Sequence, residues 1–140
     1  MAFYFPIVII VISNLVYNIC AKATPSDINP FASLIVTYLI GAAVAALLFF
    51  LMKPENTLLE EYKQMNWAPI VMGIVVVGLE FGSILMYKMG WNINTGYMVH
   101  STCLAILLIF VGYIGYGEDI TITKLLGVIL CITGLYLIKK

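Results

Sequence analysis

Long apolar runs separated by short polar connections make up nearly the whole chain. Five runs with few or no charged residues follow one another, and four of them approach the roughly 20 apolar residues that a helix needs to cross a bilayer. The fifth run, residues 125–138, reaches that length when residues 120–123 extend it and Lys124 reaches toward the headgroups. The predicted spans are residues 3–20, 31–52, 67–87, 96–116 and 120–138, which together form one transmembrane domain over residues 1–140.

These runs are predicted to be helices. A bilayer core contains no water, so the protein must satisfy every backbone polar group itself, as helices and closed barrels do. The runs lack the alternation of apolar and polar residues that is typical of barrel strands. The first run also lacks the basic start and the cleavage site of a signal peptide, so we expect it to be retained. The fold class is therefore an all-α integral membrane protein with about five transmembrane helices.

The second connection has a helical pattern of its own. In the segment LLEEYKQMNW, residues 58–67, apolar and charged side chains alternate at roughly helical spacing. This pattern predicts a short amphipathic helix that lies in the membrane interface.

Composition excludes several classes of function. Of the 140 residues, 63% are hydrophobic and 10% are charged, whereas soluble domains are about 25% charged. Membrane lipids are therefore expected partners, and the absence of a basic patch makes nucleic acid an unexpected one. The cysteines are not spaced as metal ligands, so no metal or cofactor is predicted. One acid and one histidine within the spans do not make an enzyme site, so no enzyme is predicted.

The lysines are evenly divided between the two sides of the membrane. An odd number of spans places the two ends of the chain on opposite sides, which we name side A, at residue 1, and side B. Orientation normally follows an excess of Lys and Arg in cytoplasmic loops, and that excess is absent here. Either the chain inserts both ways and pairs antiparallel with itself, or a partner or the insertion machinery orients it. Side A holds Lys53, Lys63 and Lys124, and side B holds Lys22, Lys88, Lys139 and Lys140.

The first of these interpretations suits a transporter. Alternating access is commonly built from inverted repeats that rock about a site near the membrane midplane. One small chain inserted in both orientations would supply both repeats. We therefore predict that the five helices form one half of an inverted-repeat transporter, completed as an antiparallel homodimer.

Five polar residues within the spans are candidates for substrate or proton binding. A charge on Glu80 in the third run would cost about 3 kcal/mol, which makes this residue a candidate proton carrier; the alternative is a hydrogen bond to a neighbouring helix. Asn14 and Asn18 share one helix face beside Tyr17 and either line a cavity or bond another helix. By helix rise, Asn18, Glu80 and His100 lie at similar depths, so they are a candidate cluster; His100 could equally be a packing residue.

Small residues recur at positions that would allow helices to approach closely. Gly78 and Gly82 form a small-xxx-small pair in the third run, a pattern found at helix interfaces in membranes. Packing within the chain and packing between two copies both explain it. The predicted helix-packing residues are Gly78, Gly82, Gly127 and Gly134.

Two segments near the end of the chain resemble a known family. The fourth run ends in YIGYGED, residues 113–119, and the chain continues ITITKLLGVILCITGLYLIKK, with Gly127 and Gly134 seven positions apart. This arrangement is similar to the junction in EamA-type domains of the drug/metabolite transporter superfamily, and the likeness spans essentially the whole chain. Larger members carry two such five-helix domains in inverted orientation, so the resemblance implies that a single domain works as a dimer.

A looser likeness connects the chain with small multidrug resistance transporters. The segment INTG, residues 93–96, resembles the I-P-T-G of that branch. The branch also has a membrane-embedded Glu eight positions before a Lys, and the residue eight before Lys22 here is Asn14. The carboxylate that couples proton and substrate in that branch is therefore missing from the first helix.

Together these features predict a small secondary transporter in the cell membrane, of the bacterial or archaeal inner-membrane kind. It would export a small metabolite or drug-like solute, with Glu80 as the candidate proton carrier. One alternative is a subunit of a heterodimeric flippase for lipid-linked intermediates. Another is a non-transporting membrane scaffold, in which the polar residues only join helices.

Overall fold

Six helices account for most of the described chain. The structure is a computed structural model and describes residues 4–52 and 56–139, in which no strand occurs. Phe3, Lys53 and Lys140, which entered the predicted spans or the lysine count, lie outside the described residues. The helices are α1 (Phe5–Ala23), α2 (Pro30–Leu51), α3 (Leu58–Lys63), α4 (Ala68–Lys88), α5 (Ile93–Tyr116) and α6 (Ile122–Lys139).

Four of the helices are long and apolar enough to cross a membrane. They are α1, α2, α4 and α5, with 19, 22, 21 and 24 residues, and α6 contributes a shorter apolar stretch, Ile122–Gly134. Most large apolar side chains on these helices are exposed, as expected for helices whose solvent is lipid. The predicted all-α membrane class is confirmed, and crossing of the bilayer by α6 stays a prediction.

Local sequence signals set several helix ends. Pro30 occupies the first turn of α2, where its missing N–H costs nothing, and the Asn29 side chain accepts a hydrogen bond from the Phe31 N–H at 2.9 Å. At the C-terminal end of α5, Gly117 adopts the left-handed conformation, with φ at 65°. There the Glu118 N–H donates to the Gly112 carbonyl at 3.0 Å, which closes the helix in the way glycine-ended helices commonly do.

Two compact units divide the chain, and α1 passes from one to the other. The first unit comprises residues 1–19 and 89–140, and the second comprises residues 20–88. In the first unit α5 packs along α6, and in the second α2 packs along α4.

The second unit has a small buried core near one end. Leu34 of α2 and Tyr87 of α4 are 3% and 5% exposed. Close by in sequence, the rings of Phe31 and Phe81 stack with centroids 4.8 Å apart and planes at 8°, a geometry that adds to the burial of the two rings. These apolar contacts join α2 to α4.

Lys88 fastens the connection between α1 and α2 to the end of α4. Its ammonium donates hydrogen bonds to the carbonyls of Ser26 at 3.0 Å and Ile28 at 2.6 Å. The Lys22 ammonium lies 5.6 Å from the centroid of the Tyr87 ring, within the range of a cation–π interaction. Lys22 and Lys88 therefore lie at the same end of this unit, as the assignment of both to side B requires.

The connection between α2 and α4 contains the predicted short helix. The helix, α3, spans six residues. The Glu60 carboxylate accepts hydrogen bonds from the N–H and the hydroxyl of Thr57 at 2.8 and 2.9 Å, so residue 60 satisfies a backbone donor at the helix start. Leu59 and Tyr62 are exposed. The helix is confirmed, and its place in the membrane interface stays a prediction.

Candidate functional site

An open cleft between α1 and α5 in the first unit is the candidate site for a small molecule. Its volume is about 400 Å³, within the range of small-molecule pockets. Its polar side chains are Asn14 and Asn18 from α1 and Asn94 and Tyr97 from α5. The remaining lining residues, Val11, Leu15, Ile93 and Met98, are apolar.

The α1 wall of the cleft carries the two asparagines that the sequence places on one face. An amide N–H of Asn14 donates to the Ile10 carbonyl at 3.1 Å, and one of Asn18 donates to the Asn14 carbonyl at 2.8 Å. Such bonds to the preceding turn hold short polar side chains against their own helix. Asn18 is only 7% exposed. The structure thus places both amides in a cavity wall, while their role in substrate binding stays a prediction.

The α5 wall contributes two polar residues that were not among the sequence candidates. The Asn94 side-chain oxygen accepts hydrogen bonds from the N–H and the hydroxyl of Thr95 at 2.8 and 3.3 Å. Tyr97 follows one turn later on the same helix face. Its ring meets the His100 ring edge to face, with centroids 5.1 Å apart. His100 is exposed and supports Tyr97 from outside the cleft.

The start of α5 explains why the sequence candidates did not include these two residues. The predicted span began at residue 96, whereas α5 begins at Ile93, because Asn92 is extended and its carbonyl already accepts from the Gly96 N–H at 2.8 Å. Because the helix begins at Ile93, Asn94 and Tyr97, which are three residues apart, lie on the same helix face. Tyr17, the remaining α1 candidate, is half-buried and is not part of the cleft lining.

Glu80 lies in the second unit, where α2 packs against α4. It is half-buried, eight residues before the end of α4 at Lys88, which agrees with its predicted position within a span. The Tyr38 hydroxyl of α2 lies within hydrogen-bonding reach of the Glu80 carboxylate. Sequence reasoning missed Tyr38, because a tyrosine in an apolar run reads as one more large apolar residue.

The predicted cluster of Asn18, Glu80 and His100 is divided between the two units. Asn18 and His100 belong to the first unit and Glu80 to the second. Asn18 lines the cleft and His100 lies outside it. The cluster of all three residues stays a prediction.

The four predicted packing glycines lie at open positions. A Cβ atom built on Gly78, Gly82, Gly127 or Gly134 would meet no described atom within 4 Å. Gly112 differs, since a Cβ atom there would lie 3.1 Å from the Glu118 carboxylate. The use of these four glycines in helix packing stays a prediction.

Charged groups at the α5–α6 connection bind one another. The Lys124 ammonium lies 3.6 Å from the Glu118 carboxylate and donates to the Asp119 carbonyl at 3.0 Å. Lys124 thus reaches back from the first turn of α6, and its place at a membrane boundary stays a prediction. Among the residues that the structure describes, no group of three or more His, Cys, Asp or Glu side chains is placed to hold a metal ion.

Apolar helices of spanning length, with polar side chains set within them, define a multi-pass membrane protein. The model of the EamA-like transporter family matches residues 2–139. The chain therefore belongs to the EamA-like transporter family and is a membrane transporter of the drug/metabolite type. The resemblance found in the sequence is confirmed. No curated protein and no solved structure matches the chain.

Proposed function

We propose that this protein is a secondary transporter that exports a small metabolite or drug-like solute in exchange for protons. Two copies in opposite orientations form the working unit, the α1–α5 cleft receives the solute, and Glu80 carries the proton. The observation that carries this proposal is the half-buried carboxyl group of Glu80 within α4, beside the Tyr38 hydroxyl.

Glu80 has the chemistry of a proton carrier. An ionised carboxylate within a span costs about 3 kcal/mol, and taking up a proton removes that cost. The Tyr38 hydroxyl can donate to the ionised carboxylate or accept from the protonated acid. Both states of Glu80 then keep a hydrogen-bonding group within reach, which favours reversible titration over a fixed structural charge.

Two features support the antiparallel pair. The lysines assigned to side A and side B number three and four, which leaves little charge bias to orient a single copy. Gly78 and Gly82 lie one turn apart on α4, the helix that carries Glu80, and a Cβ atom at either would meet open space. A second copy would pack closely against this face, which lies on the side of α4 opposite Glu80.

The experiment is proton flux in proteoliposomes. Purified protein is reconstituted around a pH-sensitive dye, and a panel of amino acids, amines, amides and small aromatic acids is added under an imposed pH gradient. We expect at least one solute to drive proton movement, Glu80→Gln to abolish it, and Glu80→Asp to retain part of it. Glu61→Gln is the control, because Glu61 is an exposed residue of α3 outside the predicted spans.

Two results would contradict the proposal. Undiminished flux with the same pH dependence in Glu80→Gln would remove Glu80 from the coupling step. Proton movement that no solute in the panel changes would favour the scaffold interpretation.

A further inference from the structure

The side chains that line the α1–α5 cleft indicate the charge of the solute that it would bind. Its lining contains three carboxamides, one phenol ring and four aliphatic or thioether side chains, and none of these carries a charge at neutral pH. A charged solute held against such walls would give up hydration without gaining a counter-charge, which is costly in an apolar site. An uncharged solute avoids that cost.

The hydrogen bonds within the walls indicate which polar groups face the solute. Asn14 uses one of its two amide N–H groups in the bond to the Ile10 carbonyl at 3.1 Å, so its side-chain oxygen and its second N–H are the groups it offers. Asn94 spends its side-chain oxygen on the Thr95 N–H at 2.8 Å, so its amide N–H groups are the donors it offers. The cleft therefore presents an acceptor and a donor from Asn14 on α1 and donors from Asn94 on α5, between apolar surfaces.

The aromatic group in the cleft is held in place. The Tyr97 ring lies edge to face against the His100 ring at 5.1 Å, with an interplanar angle of 88°. This contact limits the rotation of Tyr97, which lines the cleft. An aromatic or flat apolar portion of a solute would fit against the Tyr97 ring.

We propose that the α1–α5 cleft binds uncharged solutes that carry an amide or a similar paired donor and acceptor on an apolar, preferably aromatic, body. This inference rests on the proposed function in taking the cleft as the solute site. The amide N–H of the solute would donate to the Asn14 side-chain oxygen, or the amide carbonyl of the solute would accept from the Asn94 N–H. The apolar body of the solute would lie along Leu15, Met98 and Tyr97.

The test uses four probes of nearly equal size. They are 3-phenylpropanamide, the 3-phenylpropylammonium ion, the 3-phenylpropanoate ion and butylbenzene. Binding to the full chain in nanodiscs is measured by calorimetry, with the signal of empty nanodiscs subtracted. We expect the amide to bind at least tenfold more tightly than either ion and more tightly than butylbenzene.

Variants of Asn14 separate recognition from general apolar binding. We expect Asn14→Leu to weaken amide binding about tenfold while leaving butylbenzene binding unchanged or stronger. Asn14→Asp should shift the preference toward the ammonium probe, a gain that a misfolded protein would not produce. The matched control is Thr133→Val, because Thr133 also bonds the preceding turn of its helix, at 2.7 Å to the Ile129 carbonyl, and lies outside the cleft lining.

Three results would overturn the inference. Tighter binding of either ion by the unaltered chain would show that the cleft selects charge. Equal binding of amide and butylbenzene, unaffected by Asn14→Leu, would show an apolar groove filled by lipid chains. Amide binding that survives both Asn14 variants unchanged would place the site elsewhere. Because binding is measured without a proton gradient, undiminished proton flux in Glu80→Gln would refute the proposed function and leave this inference standing.

Discussion

The interaction of Lys88 with the α1–α2 connection allows a stability change to be worked out from the structure. Lys88→Met removes two hydrogen bonds from an ammonium to carbonyls, at 3.0 and 2.6 Å. Hydrogen bonds to charged groups contribute about 1.5–3 kcal/mol each. Since both carbonyls lie in an exposed connection and regain water, the lower value applies to each. The expected loss is about 3 kcal/mol, or roughly a hundredfold in the unfolding constant.

Lys63→Met is the control for this prediction. It removes the same charge from the same unit, at an exposed position in the last turn of α3. The assay is reversible unfolding by SDS in mixed micelles, with hydrogen exchange of residues 26–29 as a local readout. Equal destabilisation by the two variants would mean that charge, and not the two hydrogen bonds, determines stability here.

Two further predictions concern the connections. The hydrogen bonds from Thr57 hold the pKa of Glu60 below its ordinary value of 4.5, so they stabilise α3 above that pH and are lost as the pH falls through the lowered pKa. The protection of the α3 amides, relative to their intrinsic exchange rate at the same pH, should therefore fall in acid, and Glu60→Gln should abolish this pH dependence. Gly117→Ala should destabilise the protein by about 1 kcal/mol in SDS unfolding, because φ is 65° there, whereas Gly115→Ala, with open space at its Cβ, should not; equal effects would contradict the backbone argument.

The helices were readable from the sequence because run length and hydrophobicity alone specify membrane helices. The end of α5 was also readable, since Gly117 is the residue type that a left-handed helix end requires. Helix starts were less accurate: Asn92 and Ile93 were assigned to a connection because their composition is polar or mixed, although the backbone is already turning there. Because the predicted helix began three residues after the observed start of α5, the α5 wall of the cleft was not predicted.

Which helices pack against each other could not be predicted from the sequence. Apolar faces of membrane helices resemble one another, so nothing in their pattern indicates that α2 packs along α4 and α5 along α6. The Asn14–Asn18 face was predicted because spacing of four residues is a local property. Tyr38 beside Glu80 was not, because that proximity arises only from the packing of two helices.

Orientation labelling tests the central claim, a pair of copies in opposite orientations, most directly. Cys20, Cys103 and Cys131 are first replaced by alanine, and single cysteines are then placed at Ser26 or Gln64, exposed positions in the connections before and after α2. A membrane-impermeant maleimide is applied to intact cells. The account predicts that each variant reacts in about half of its molecules, since α2 would cross the membrane in both directions. Full reaction of one variant and none of the other would show a single fixed orientation and contradict it.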